Sequence, residues 1–93
     1  MEYAVELSPK AYRQFKKLPD KVQDTFKASL DDLVHSPEQF PLLSGEFSNL
    51  RKFKFHSQGN AYRAVFTIKD DTVLITFLGT REGFYKALKD YMS

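Results

Sequence analysis

Leu50-Arg51-Lys52-Phe53-Lys54-Phe55, Tyr62-Arg63-Ala64-Val65-Phe66-Thr67-Ile68 and Thr72-Val73-Leu74-Ile75-Thr76-Phe77-Leu78 are three runs rich in aromatic and β-branched residues. Runs of this kind, bounded by turn residues, read as strands. Ser57-Gln58-Gly59-Asn60 and Asp70-Asp71 join them. Connections that short make consecutive strands antiparallel neighbours. This sheet decides the fold, because the remainder of the chain reads as one further strand and the helices needed to cover it.

Upstream, Tyr3, Val5 and Leu7 alternate with Glu2, Ala4 and Glu6, the period of a half-buried strand. Ser8-Pro9 then has the form of a helix start, serine capping and proline pre-set in the first turn. Ala11, Phe15 and Leu18 form its apolar stripe, with Tyr12 beside them, and Pro19 stops it. Asp20 followed by Gln23 has the spacing of a capping box and predicts Asp20 as the cap of a second helix. Val22, Phe26, Leu30, Leu33 and Val34 keep helical spacing until His35-Ser36-Pro37. His35 is read there as a structural group against the terminal carbonyls. Residues 38–49, with Pro41, Ser44, Gly45 and Ser48, read as a loop.

Downstream of the sheet, Arg81 to Met92 places Phe84, Leu88 and Tyr91 on one stripe and reads as a closing helix. The expected fold is α+β: one domain over residues 1–93, in the order strand, two helices, three strands, helix. Its small antiparallel sheet carries an N-terminal helical hairpin on one face and a short C-terminal helix, with the helices packed on one face.

At 42% hydrophobic and 28% charged residues, the 93-residue chain is too apolar for a disordered segment. With no cysteine, disulfide frameworks, thiolate metal sites and cysteine nucleophiles are excluded, which favours a cytoplasmic home. The acidic start Met1-Glu2-Tyr3-Ala4-Val5-Glu6 is unlike a secretion signal, and no apolar run could cross a membrane. A net charge of +2 does not by itself identify a nucleic-acid partner. Its distribution says more: between Glu46 and Asp70 there is no acid, whereas Arg51, Lys52, Lys54, Arg63 and Lys69 all lie there.

Strand alternation sends Lys52, Lys54 and His56 to one face and Phe53 and Phe55 to the other. Same-face neighbours lie about 7 Å apart, so two ammonium groups and an imidazole share a small patch. Like charges at that range disfavour one another's charged forms, which suits a general base working near neutral pH. Lysines that keep an edge strand soluble are the plainer reading of the same pattern. Arg63 shifts the balance: a charge inside an apolar strand needs a carboxylate partner or a function. Gly79-Thr80-Arg81-Glu82 adds a second arginine at a strand end, followed by Tyr85, and Glu82 is the available structural partner for either arginine. The scattered glycines form no phosphate loop, and His35 and His56 have no clustered acids to complete a metal site, so no cofactor or metal is expected.

Leu7-Ser8-Pro9-Lys10-Ala11, the helical hairpin, Leu43-Ser44-Gly45, Leu50-Arg51-Lys52-Phe53-Lys54, Tyr62-Arg63-Ala64-Val65-Phe66, and Gly79-Thr80-Arg81-Glu82 leading to Phe84-Tyr85 follow one another in the order found in a known family. By that order and spacing the chain resembles the RelE/ParE superfamily of bacterial toxins over essentially its whole length. RelE-type members are ribosome-dependent mRNA endonucleases; ParE-type members poison DNA gyrase and generally lack the basic catalytic set. The resemblance implies Lys52, Lys54, Arg63, Arg81 and Tyr85 as that set, with Arg51 and His56 contacting RNA. Some relatives use histidine as an acid or base, which leaves His56 a possible catalytic part. It further implies a type II toxin with a cognate antitoxin, the ribosome and mRNA as partners. RelE-like nucleases tend to be more basic than +2, which implies weaker ribosome attraction here.

The expected chemistry needs no metal: a ribose 2′-hydroxyl attacks the adjacent phosphate, giving a 2′,3′-cyclic phosphate and a 5′-hydroxyl. Lys54 is the first choice for base, with Lys52 and Arg63 holding phosphate charge. Arginine is a poor proton donor, so simple chemistry favours Tyr85 or His56 as acid, while the resemblance leaves Arg81 open. The alternatives are a ParE-like gyrase inhibitor and an inactive toxin fold that only binds an antitoxin.

Overall fold

The computed structural model describes residues 2–92, so the two ends of the expected 1–93 domain lie outside the described residues. Ser8 starts the first helix as its sequence implies: its Oγ accepts the Ala11 N–H at 3.2 Å, and Pro9 occupies the first turn of α1 (Pro9–Lys16). The same hydroxyl donates to the Thr76 carbonyl at 3.1 Å, tying the helix start to the sheet.

The second helix, α2 (Asp20–His35), does not begin with a capping box. Pro19 takes the cap position with extended backbone, no side chain caps the helix, and Asp20 is already its first residue. An acid there still suits the positive end of the helix dipole. Gln23 turns the other way. Its Nε2 donates to the carbonyls of Phe15 at 3.1 Å and Leu18 at 3.0 Å, closing the end of α1 and fixing the hairpin.

Four strands form one sheet: β1 (Ala4–Leu7), β2 (Arg51–Ser57), β3 (Asn60–Lys69) and β4 (Thr72–Thr80), in the order β1-β4-β3-β2. The turn-joined pairs β2–β3 and β3–β4 are antiparallel as expected. β1 pairs with β4 in parallel, Ala4 opposite Thr72 and Leu7 opposite Ile75, so the sheet is mixed rather than antiparallel throughout. The whole hairpin and two strands intervene between β1 and β4, so no tight turn dictates their direction. The 38–49 segment contains two single 3-10 turns, and Leu43 N–H and Lys52 N–H bond to the Leu50 and Pro41 carbonyls, covering the start of the β2 edge.

The helices do not share one face. Phe26, Val22, Leu33 and Ala11 of the hairpin pack on Phe53, Phe55, Tyr62, Ala64, Phe66, Val73, Ile75 and Leu78. The last helix, α3 (Phe84–Met92), packs Phe84 and Leu88 against Leu50, Val65 and Phe77. Val65 alternates with Ala64 and Phe66 and must therefore face away from the hairpin. Phe77 joins it there through a bulge: Val65 registers with Phe77 but Phe66 with Ile75, which leaves Thr76 as an extra residue on β4. Were Thr76 paired in regular register instead, Phe77 would follow Val73 and Ile75 under the hairpin, and α3 would lose its principal aromatic anchor.

Candidate active site

The α3 face of the sheet is apolar toward β4 and cationic toward β2. Leu50 and Val65 on this face are buried, whereas Lys52 is half-buried and Lys54 and His56 are exposed. Lys54 lies directly opposite Arg63 across the β2–β3 ladder, and Arg63 is in turn opposite Gly79 on β4. Directly opposed side chains sit roughly 5 Å apart at Cβ, and opposed like charges destabilise a sheet. No carboxylate relieves them: among the described residues, neither Arg63 nor Arg81 makes an ion pair, and Glu82 pairs with neither.

Arg63 is held instead by an aromatic hydroxyl. Its Nη1 donates to the Tyr85 Oη at 3.0 Å, and its guanidinium carbon lies 5.3 Å from the centre of the Tyr85 ring. Its Nε is enclosed without a hydrogen-bond partner. Tyr85 comes from the first turn of α3, whose orientation is set by the burial of Phe84 and Leu88. Phe84 in turn closes over Gly79, where an added Cβ would lie 3.7 Å from its ring. The bulge, α3 and Tyr85 thus form one chain of support for Arg63.

Lys54, His56, Arg63 and Arg81 line a single open cavity of about 260 Å³, together with Ala61 and Tyr62. Arg81 is brought to it by its own backbone: its N–H donates to the Ala61 carbonyl at 2.9 Å, pinning the end of β4 to β3. Lys52 and Tyr85 share a second hollow of about 400 Å³ walled by Leu42, Leu43, Ser44 and Phe47. Six of the seven residues singled out from the sequence therefore lie on one face. Arg51 does not. Alternation points it toward the hairpin side, where its Nη1 donates to the carbonyls of Glu38 at 3.0 Å and Phe40 at 2.7 Å, so it ties the loop to β2.

Among the described residues, no three His, Cys, Asp or Glu side chains gather as a metal site, and no helix is long and apolar enough to cross a membrane. His35 lies far along the chain from the cationic face, at the end of α2. Its Nδ1 bonds to the Asp31 carbonyl at 2.9 Å and its ring lies 3.7 Å from carboxylate oxygens of Glu2 and Asp31. The backbone hydrogen bond, then those carboxylates, raise its pKa above the ordinary histidine value.

The sequence model of the ParE-like toxins of type II bacterial toxin-antitoxin systems matches residues 5–89. The chain belongs to this family. Solved structures of family relatives have the same fold. A double-mutant E. coli toxin RelE in the free state is 24% identical, with all of both chains covered and a TM-score of 0.75. The toxin-antitoxin complex RelBE2 from Mycobacterium tuberculosis contains a chain 25% identical, covering 87% of this one and 100% of that one, with a TM-score of 0.73. A chain of the chromosomal ParDE system of P. aeruginosa, 14% identical over 87% of this chain and 98% of that one, gives a TM-score of 0.66. No curated protein matches the chain by sequence. The toxin is therefore an α+β protein of the RelE/ParE superfamily, with the mixed sheet described above.

What sequence reading missed around the site is Asn60, Thr80 and Glu82, which line a further cavity with His56 and Arg81. The only signal in the sequence was the turn placement of Asn60 and the Arg81-Glu82 adjacency, and the latter suggested an ion pair that does not form.

Proposed function

We propose that this toxin is a ribosome-dependent mRNA endonuclease that works without a metal ion, and that the cationic face of β2 and β3 is its active site. The observation that carries the reading is the direct opposition of Lys54 and Arg63, with His56 and Arg81 on the same cavity and no carboxylate among them. Such an arrangement weakens a sheet unless a phosphodiester neutralises it.

In the proposed reaction the 2′-oxygen of one nucleotide forms a bond to its own 3′-phosphorus while the bond to the next nucleotide's 5′-oxygen breaks. Lys54 takes the 2′-hydroxyl proton; Lys52 and Arg63 hold the added phosphorane charge. Arg81 stands toward the leaving oxygen. His56, which shares the cavity with Lys54, returns a proton to that oxygen. Tyr85 acts through Arg63: its oxygen accepts from the guanidinium and sets the fork toward the phosphate. DNA lacks the attacking hydroxyl and resists. Arg51, committed to the loop carbonyls, is outside this set.

Toxin induced in bacterial cells should arrest growth and leave ribosome-bound transcripts with new 5′-hydroxyl ends; intact transcripts would overturn the assignment. One observation favours a second reading. The matching family description is ParE-like, and a gyrase poison would instead give supercoiling inhibition and a DNA-damage response with mRNA uncut. A cytoplasmic site of action and a cognate antitoxin belong to the proposal too. Support for the antitoxin comes from relatives solved in such complexes, including the E. coli toxin RelE mutant with its antitoxin RelBc peptide.

A further inference from the structure

Beside the Lys54-Arg63 cavity lies a larger one of about 670 Å³, bounded by Asn60, Thr80 and Glu82 and sharing His56, Ala61 and Arg81 with it. We propose that this cavity is a nucleobase subsite in which the Glu82 carboxylate and the Asn60 amide read the Watson–Crick edge of guanine. The substrate class rests on the RNA-cutting function proposed above.

Glu82 is the feature that phosphate binding leaves unexplained. It follows Arg81 in sequence, is exposed, and among the described residues its carboxylate has no ion pair or hydrogen bond. A free carboxylate at the rim of a cationic face repels phosphate, so for a ligand made only of phosphates it is a handicap. A carboxylate accepts hydrogen bonds and donates none, so the ligand group it suits carries donors.

An unstacked base one nucleotide from the cut phosphate is such a group, and single-stranded RNA is read on this edge. Among the four bases, guanine alone offers two adjacent donors there, N1–H and the N2 amino group, matching the two carboxylate oxygens. Adenine, cytosine and uracil each set an acceptor beside their donor, which would face an anionic oxygen. Guanine O6 then needs a donor, and Asn60 on the same cavity has an amide to give.

The subsite is held in place from both sides. The Arg81 N–H bond to the Ala61 carbonyl fixes the residue before Glu82, and buried Phe84 fixes the chain just after it. Gly83 between them has φ +70, a left-handed turn that bends the chain from strand end into α3 and leaves Glu82 at the corner.

The test uses the full-length toxin and fluorescent 2′-deoxy pentanucleotides, uncleavable for want of the attacking hydroxyl, with guanine, adenine, cytosine or uracil at the centre. Anisotropy should show the guanine pentamer bound roughly tenfold tighter by the parent protein. Glu82→Gln replaces one acceptor by a donor and should abolish the guanine preference, because an amide matches the donor–acceptor edges of adenine, cytosine and uracil alike. Asn60→Ala should narrow the guanine preference. Glu82 is exposed and unpartnered, so these variants should melt as the parent does. Equal binding of all four pentamers, or a preference untouched by Glu82→Gln, would overturn the proposal. Mapping cut ends on translating ribosomes separates it from the function it rests on. A guanine preference in binding with no cutting keeps the subsite and removes the nuclease, whereas cutting with no base preference does the reverse.

Discussion

Removing the Tyr85 hydroxyl probes the link between α3 and the cationic face. Tyr85→Phe keeps the ring 5.3 Å from the guanidinium carbon but deletes the 3.0 Å acceptor of Arg63 Nη1. Hydrogen bonds to charged groups contribute about 1.5–3 kcal/mol, and this half-buried one belongs at the low end, about 1.5 kcal/mol. Arg63 Nε already lacks a partner, so among the described residues the guanidinium has no second hydrogen bond to fall back on. For a domain of this size that loss lowers Tm by roughly 6–12 °C. Arg63→Lys removes the same hydrogen bond from the other side, so the double variant should be little worse than either single one. The coupling measured by urea denaturation should be about 1 kcal/mol. The effect on cutting should be a fall of about tenfold, since Tyr85 positions Arg63, against about a hundredfold or more for His56→Ala, which removes a proton donor. Additive stability losses would refute the coupling, and a Tyr85→Phe defect as deep as that of His56→Ala would refute its positioning role.

Gln23→Ala should destabilise by about 1–2 kcal/mol, a lost cap, while Asp20→Ala should stay within about 0.5 kcal/mol, as urea midpoints would show. Leu88→Ala opens a cavity under α3 and should lower stability by about 2–5 kcal/mol, with cutting lost in proportion to the unfolded fraction. For His35 the folded pKa is raised, so its contribution is fully present below the unfolded value near 6.5 and disappears as pH rises through the higher folded value. Urea midpoints between pH 5 and 9 should therefore fall across that window for the parent and flatten in His35→Gln.

The basic face is legible in the sequence because strand alternation alone puts Lys52, Lys54 and His56 on one side, and because Arg63 stands out in an apolar run. The helical hairpin is legible from its stripes and from Ser8-Pro9. The side on which α3 packs is not. It depends on the bulge at Thr76, a single extra residue in a run whose period looks unbroken, and it reverses where Phe77 points. The parallel pairing of β1 is likewise set by long-range packing, since no turn links it to β4. Gln23 and Arg51 mislead for a shared reason: each has a plausible local role, yet its hydrogen bonds go to carbonyls several residues back along the chain, on α1 and in the loop. Glu82 misleads oppositely, since adjacency to Arg81 suggests a pair that the turn at Gly83 does not make.

The central claim is that the Lys54-Arg63-Arg81 face cuts RNA. The most direct measurement is mapping of mRNA ends on translating ribosomes with the parent toxin, Lys54→Ala and Arg81→Ala. The expected result is 5′-hydroxyl ends within the ribosomal A site for the parent and a loss of about a hundredfold or more in Lys54→Ala, with Arg81→Ala also impaired. Undiminished cutting in both variants, or intact mRNA with inhibited gyrase in the parent, would contradict it.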